Sequence, residues 1–189
     1  MDATYYYIAL ALIAGAGLLF YFFSYKSTHL PKTDTLFTEA LNAMVKADKR
    51  KAIRLLKDVV KQDSDHVRAY LQLGNILRED KPEQAAKIHQ SLTVRPGLSI
   101  DIKVEIHQSL ALDYERLDQL QNARQEADQV LGLEKRNLWA LGFLLFMAEK
   151  VEDWDQAAEW TKRIQKITGK QGSADIARFQ VYKGLEKLK

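Results

Sequence analysis

The sequence predicts an all-α protein, one membrane-spanning helix followed by an array of paired helices, and three observations predict it. Four alanines, Ala52, Ala85, Ala123 and Ala157, recur at separations of 33, 38 and 34 residues. Each stands near the start of a segment with helical apolar periodicity, which follows another such segment and a short turn. The 189 residues hold only nine Gly and three Pro, few enough breakers for nearly continuous helix. Paired amphipathic helices recurring near 34 residues are the signature of a tetratricopeptide (TPR) array. The small residue has a physical reason: the second helix (B) of each pair crosses the first (A) closely there, and a larger side chain would push the backbones apart. The predicted architecture is a right-handed α-solenoid of about four helix pairs with a C-terminal capping helix.

Residues 1–26 read as the transmembrane anchor. From 3 to 23 the sequence ATYYYIALALIAGAGLLFYFF carries no charge, and at 1.5 Å per residue it spans the ~30 Å of a bilayer core. Tyr5, Tyr6 and Tyr7 at one end, and Tyr21 and Tyr25 at the other, suit the aromatic belts of the two interfaces, and Phe22 and Phe23 are further membrane residues of the span. Gly15 and Gly17 are tolerated in a membrane helix and let another helix approach. A cleaved signal peptide would want a basic stretch in front and a small-x-small site behind. Here Asp2 is the only charged side chain in front, and the core ends in bulky aromatics. Lys26, His29, Lys32, Lys46, Lys49, Arg50 and Lys51 follow the span, so the positive-inside rule puts the N-terminus out and the repeats in the cytoplasm. Residues 27–33 form a polar linker, in which Pro31 stops one helix and Thr33 or Asp34 caps the next.

The TPR domain occupies residues 34–189, with repeats at about 34–65, 66–98, 99–136 and 137–170 and a terminal helix at 173–188. In repeat one, helix A carries Leu36, Phe37, Ala40, Leu41, Met44 and Val45 at helical spacing. Helix B, KAIRLLKDVVKQ, places Ala52, Ile53, Leu56, Val59 and Val60 on one face and Lys49, Arg50, Lys51, Arg54, Lys57 and Lys61 on the other. Two readings of that basic face stay open: a solvated surface, or contact with anionic lipid headgroups close to the span. In repeat two, Tyr70, Leu73, Gly74 and Leu77 match the TPR pattern, and Pro82 suits the first turn of helix B, where its missing N–H costs nothing. The turn before it is one residue shorter than the TPR norm. Arg95-Pro96-Gly97-Leu98-Ser99 breaks the chain, and Ser99 caps helix A of repeat three, residues 100–117. Ile106, Leu110, Ala111 and Tyr114 line that helix; Ala123, Ala127, Val130 and Leu131 line its partner. Helix A of repeat four, LWALGFLLFMAEK, is apolar nearly all round, which predicts deep burial or cover by a partner. Asp153 caps its helix B, and Trp154 is a packing anchor. Ile176, Phe179, Tyr182, Leu185 and Leu188 give the terminal helix its apolar positions.

No catalytic constellation appears, so no enzyme activity, small-molecule substrate, cofactor or metal is expected. The four histidines are scattered, and His89 and His107 fall where a mid-sized residue packs. The absence of cysteine excludes disulfides and thiolate zinc sites. A net charge of +3, from 28 basic and 25 acidic residues, is too balanced to imply a nucleic-acid partner. TPR arrays bind along the A helices. That register puts Arg68, Leu71, Asn75, Arg78 and Glu79 of repeat two on the partner-binding groove. Glu105, Gln108, Leu112, Glu115 and Arg116 of repeat three and Trp139, Phe146, Glu149 and Lys150 of repeat four continue it. Only Asn75 matches the Lys/Asn clamp of chaperone-binding TPRs, so a carboxylate-tail ligand is rejected. Mixed charge with apolar patches suits a protein surface or a folded helix.

LQLGNILRED (71–80), AAKIHQSL (85–92) and RPGLS (95–99), behind an N-terminal anchor, resemble the lipopolysaccharide assembly protein B (LapB, YciM) family, with its LGN-x-x-R helix, IHQ-x-L helix and following break. The resemblance covers most of the chain and is strongest over 67–165. It implies a single-pass protein of the bacterial inner membrane, lipid-embedded, with cytoplasmic TPRs. It implies an adaptor that presents the deacetylase of lipid A synthesis to the membrane protease FtsH, and so a role in lipopolysaccharide assembly. It also implies further repeats and a rubredoxin-like, four-cysteine metal domain, from which this cysteine-free sequence departs. A shortened paralogue, a truncated chain and a structural accessory subunit of another membrane complex all stay open.

Overall fold

The computed structural model describes residues 32–170 and 172–186, together with Tyr7 and Gly15, which are helical. The expected span, and with it Tyr5, Tyr6, Gly17, Phe22, Phe23 and Tyr25, otherwise lies outside the described residues. Among those described, no helix is long and apolar enough to cross a membrane, and the secondary structure is helical throughout. The chain divides into two compact units, Met1–Asp63 and Ser64–Lys189.

The first unit contains the hairpin of α1 (Lys32–Val45) and α2 (Lys49–Gln62). Because α1 starts at Lys32, Thr33 and Asp34 lie inside its first turn instead of capping it, with Asp34 favourably placed at the positive end of the helix dipole. Ala40 and Ala43 of α1 and Ala52, Leu55, Leu56 and Val59 of α2 are buried. The buried stripe of α2 is therefore rotated from the expected one: Leu55 is inside, while Ile53 and Val60 are half-buried. Lys51 spans the hairpin to Glu39 at 2.8 Å, and this ammonium group holds the Glu39 carboxyl below its usual value.

The second unit stacks α3 (Val67–Leu77), α4 (Pro82–Thr93), α5 (Ile100–Arg116), α6 (Leu120–Leu133), α7 (Leu138–Lys150), α8 (Trp154–Thr168) and α9 (Ser173–Glu186). Each helix packs on its chain neighbour, and α3 also touches α5, the nearest-neighbour pattern of a solenoid. Ala52, Ala85, Ala123 and Ala157 are all fully buried, as the crossing argument requires. Leu71, Leu92, Ile106 and Leu110 form one core cluster. A second joins Ala111, Ala123 and Ala127 to Phe143, Leu144 and Met147. At the C-terminal end Phe179 is buried against Ala148 and Ala157, and Trp154 stacks on it at 6.3 Å. Helix α7 is not buried all round: Leu138 and Phe146 remain 47% and 48% exposed.

One A-to-B turn is used three times. Asp48, Gln119 and Asp153 each send their N–H back five residues, to the carbonyls of Ala43, Tyr114 and Ala148 at 2.8–2.9 Å. The residue before each, Ala47, Asp118 or Glu152, takes a φ of 57°. This is the Schellman closure, usually built on glycine, and here three non-glycine residues occupy the left-handed position. The residue that closes helix A is also the N-cap of helix B. Asp48 accepts from the Lys51 N–H and Asp153 from the Gln156 N–H, whereas Gln119 makes no side-chain cap. Gln119→Asp is accordingly expected to add about 1 kcal/mol and to raise the melting temperature by about 2–4 °C. An unchanged melting curve would show that this helix start is already satisfied. The α3–α4 turn is the exception: it has four residues between the helices where the others have three, no left-handed residue, and an N-cap, Lys81, that sends its N–H back only four residues, to the Leu77 carbonyl, before α4 starts at Pro82.

Candidate protein-binding site on the A helices

Helices α3, α5 and α7 are the A helices of repeats two to four and carry the expected groove residues. The structure divides these residues into three groups.

The first group is not surface at all. Leu71 is fully buried with Leu92, Ile106 and Leu110, so it belongs to the core and not to the groove. The reason is its neighbour. Helix α5 leans on α3 along that line, and an apolar side chain facing it is covered. Beside Leu71 lies a buried polar network. Asp113 and His89 are both inaccessible to solvent, with His89 Nδ1 2.5 Å from Asp113 Oδ2. Arg78 Nε donates to Asp113 Oδ1 at 2.6 Å, and Arg78 Nη2 donates to Asn75 Oδ1 at 2.7 Å and to the Ser109 carbonyl at 3.3 Å. Ser109 Oγ donates to Asn75 Oδ1 at 3.2 Å. His89 Nε2 stands 3.2 Å from the Leu71 carbonyl, so both ring nitrogens face acceptors. Gly74 lies against that ring, with no space for a side chain. The expectation of a packing histidine holds for His89, which is a hydrogen-bonded core residue. His107 is half-buried and 2.6 Å from Glu126.

This network involves two of the three sequence segments that carried the family resemblance. Gly74, Asn75 and Arg78 of the LGN-x-x-R helix and His89 of the IHQ-x-L helix converge on Asp113 of the next repeat. They latch α3 and α4 to α5. The sequence reading missed Asp113 and Ser109, although a signal was present. Asp113 continues the stripe Ile106, Leu110 at helical spacing, and an acid on a buried stripe requires a partner.

The second group staples successive A helices. Arg78, Glu115 and Glu149 occupy the same repeat position, and each reaches the next A helix or α9. Arg78 bonds Asp113, Glu115 accepts from Lys150 Nζ at 2.8 Å, and Glu149 accepts from Arg178 Nη2 at 2.6 Å. The Glu115 hydrogen bond raises the Lys150 ammonium pKa above the usual lysine value. Nearby, burial and then the Glu126 and Asp113 carboxylates raise the pKa of Tyr114, whose hydroxyl accepts from Gln90 at 2.9 Å.

The third group faces outward. Arg68, Glu79 and Arg116 are exposed, and Glu105, Gln108 and Leu112 are half-buried. On α7, Trp139 stacks on Phe143 at 5.2 Å, and Phe143 meets the half-exposed Phe146 at 6.3 Å. Phe143 itself is buried in the core, so the available face is the half-exposed Phe146 and half-buried Trp139 of α7 beside mixed charge on α5. That chemistry suits an amphipathic protein segment. Among the described residues no cluster of three potential metal ligands occurs.

No protein-family model matches the chain. It is 25% identical over 153 residues to lipopolysaccharide assembly protein B of Escherichia coli K12, covering 80% of this chain and 39% of that protein. The chain therefore spans about two-fifths of the length of the curated relatives it matches. Among solved structures it is similar to the MamA protein, with a TM-score of 0.67 and 22% identity over 82% of this chain and 84% of that one. A tetratricopeptide repeat protein from Parabacteroides merdae superposes with a TM-score of 0.65 and 17% identity over 79% of this chain and 58% of that one. These likenesses establish a TPR-like α-solenoid that is similar in sequence to lipopolysaccharide assembly protein B.

Proposed function

We propose that this chain is a membrane-anchored, non-catalytic TPR adaptor that holds a protein partner at the cytoplasmic face of the bacterial inner membrane. In its most specific form the partners are FtsH and an enzyme of lipid A synthesis, and the output is control of lipopolysaccharide synthesis by proteolysis. The observation that carries this reading is the match to lipopolysaccharide assembly protein B over 80% of the chain, a span that must include both latch segments. The uncharged stretch at 3–23 supports the anchor.

The outward-facing residues select the test. Arg78 and Glu115 are engaged in staples, so photo-crosslinkers belong at Arg116 and Phe146, with exposed Gln129 of α6 as a control. In cells, adducts from the first two positions with FtsH or a lipid A synthesis enzyme are the expected result. Adducts with subunits of another complex, with neither of these present, would replace the adaptor by an accessory structural subunit. That second reading draws on α9, which leaves Val181, Tyr182 and Leu185 44–58% exposed as an apolar surface open to a further element.

A further inference from the structure

We propose that the outer face of α2 is an electrostatic docking surface for anionic lipid headgroups, which holds the first helix hairpin against the bilayer. Helix α2 contains six basic residues and one acid, Asp58, a net charge of +5 in a chain whose total is +3, so the remainder is net acidic. The charge is also ordered. Arg50, Arg54, Lys57 and Lys61 are all exposed and follow the i, i+4, i+7, i+11 spacing that puts them on one line along a helix. Ala52, Leu55, Leu56 and Val59 are buried, and at about 100° per residue they centre on the opposite side of the helix. The stripe is therefore a surface about 16 Å long pointing directly away from the hairpin core.

A fully solvated helix needs charge for solubility, but not one sign on one line, since like charges at i, i+4 repel. A planar anionic surface relieves that repulsion along its whole length, whereas a single acidic side chain meets only one position. The antiparallel hairpin also brings the Lys61 end of α2 beside the start of α1, and only eight residues separate α1 from the uncharged stretch ending at Phe23. Each basic residue near an anionic surface favours the bound state about fivefold, so four together favour it by several hundred-fold.

The inference rests on the reading that the chain works at a membrane, but its test separates the two. The sequence has no cysteine, so Gln62→Cys at the exposed end of α2 provides a single site for a fluorophore. The labelled full chain is mixed with vesicles carrying a quencher on the headgroup, either purely phosphatidylcholine or with about one-third phosphatidylglycerol. Flotation reports the anchor: an anchored chain floats with both vesicles at any salt. Quenching reports α2. The expected result is several-fold stronger quenching in anionic vesicles, abolished by 0.5 M salt and by the combined Arg50→Ala, Arg54→Ala, Lys57→Ala and Lys61→Ala substitutions. Equal quenching in the two vesicles overturns the proposal. Loss of quenching on adding polyglutamate, with no dependence on the lipid, also overturns it and assigns the stripe to an acidic protein. All four positions are exposed, so the substituted chain is expected to keep its helical circular dichroism.

Discussion

Replacing Asp113 with alanine is expected to destabilise the second unit by about 3–5 kcal/mol, the typical cost of breaking a buried ion pair from one side. The carboxylate is fully buried and holds Arg78 through one oxygen and His89 through the other. After the substitution Arg78 keeps Asn75 and the Ser109 carbonyl, but its charge loses its counter-ion. His89 stays inaccessible to solvent with nothing facing Nδ1. The loss also reaches beyond one repeat, since the three helices meeting at Asp113 belong to two repeats, and neighbouring interfaces carry much of a solenoid's stability. Denaturant unfolding followed by circular dichroism measures it. A loss below about 1 kcal/mol would mean that water replaces the carboxylate and that the network does not hold the repeats together. A companion measurement separates specificity from stability. Substituting Arg78, His89 and Asp113 together by apolar residues of similar size is expected to recover most of the loss, because the desolvation cost of the charges disappears with them.

Gly74→Ala is expected to cost about 1–3 kcal/mol, the opposite sign from an ordinary glycine-to-alanine change inside a helix. A methyl at Gly74 would stand 2.5 Å from Cε1 of His89, 2.9 Å from Cδ2 and closer still to Nε2. A flexible side chain would swing aside, but this imidazole is pinned by Asp113 at one nitrogen and faces the Leu71 carbonyl with the other. The new methyl must therefore separate α3 from α4 or tear the ring from Asp113. Combining it with His89→Ser distinguishes these causes. The smaller side chain makes room, so the pair should cost clearly less than the sum of the singles, a coupling above about 1 kcal/mol. Additive losses would place the strain elsewhere. At the other glycines of helices α6, α7 and α9, Gly132, Gly142 and Gly184, a Cβ meets nothing within 4 Å, and alanine there should be neutral or stabilising.

Much of this protein follows from local chemistry. The helix boundaries at Pro82, Ser99 and Asp153, the crossing alanines, the close approach at Gly74 and the anchoring role of Trp154 are all readable from the chain. Each depends on a residue's effect on its own few neighbours: a missing N–H, a capping oxygen, a small side chain at a fixed spacing. The polar face of the A helices was not readable in the same way. Arg78 and Glu115 look like ligand-binding residues in a single helix, because exposure is all that periodicity can assign to them. Their partners, Asp113 and Lys150, each lie 35 residues on, and only the stacking of one repeat on the next brings them into reach. The same stacking covers Leu71 and leaves Phe146 open, although the one-dimensional pattern treats both as groove positions. Spacing along the chain determined which residues are helical and which side of each helix is small or apolar. Tertiary structure decided which polar side chains are spent on joining repeats and which remain for a partner, because that choice depends on the helix standing opposite.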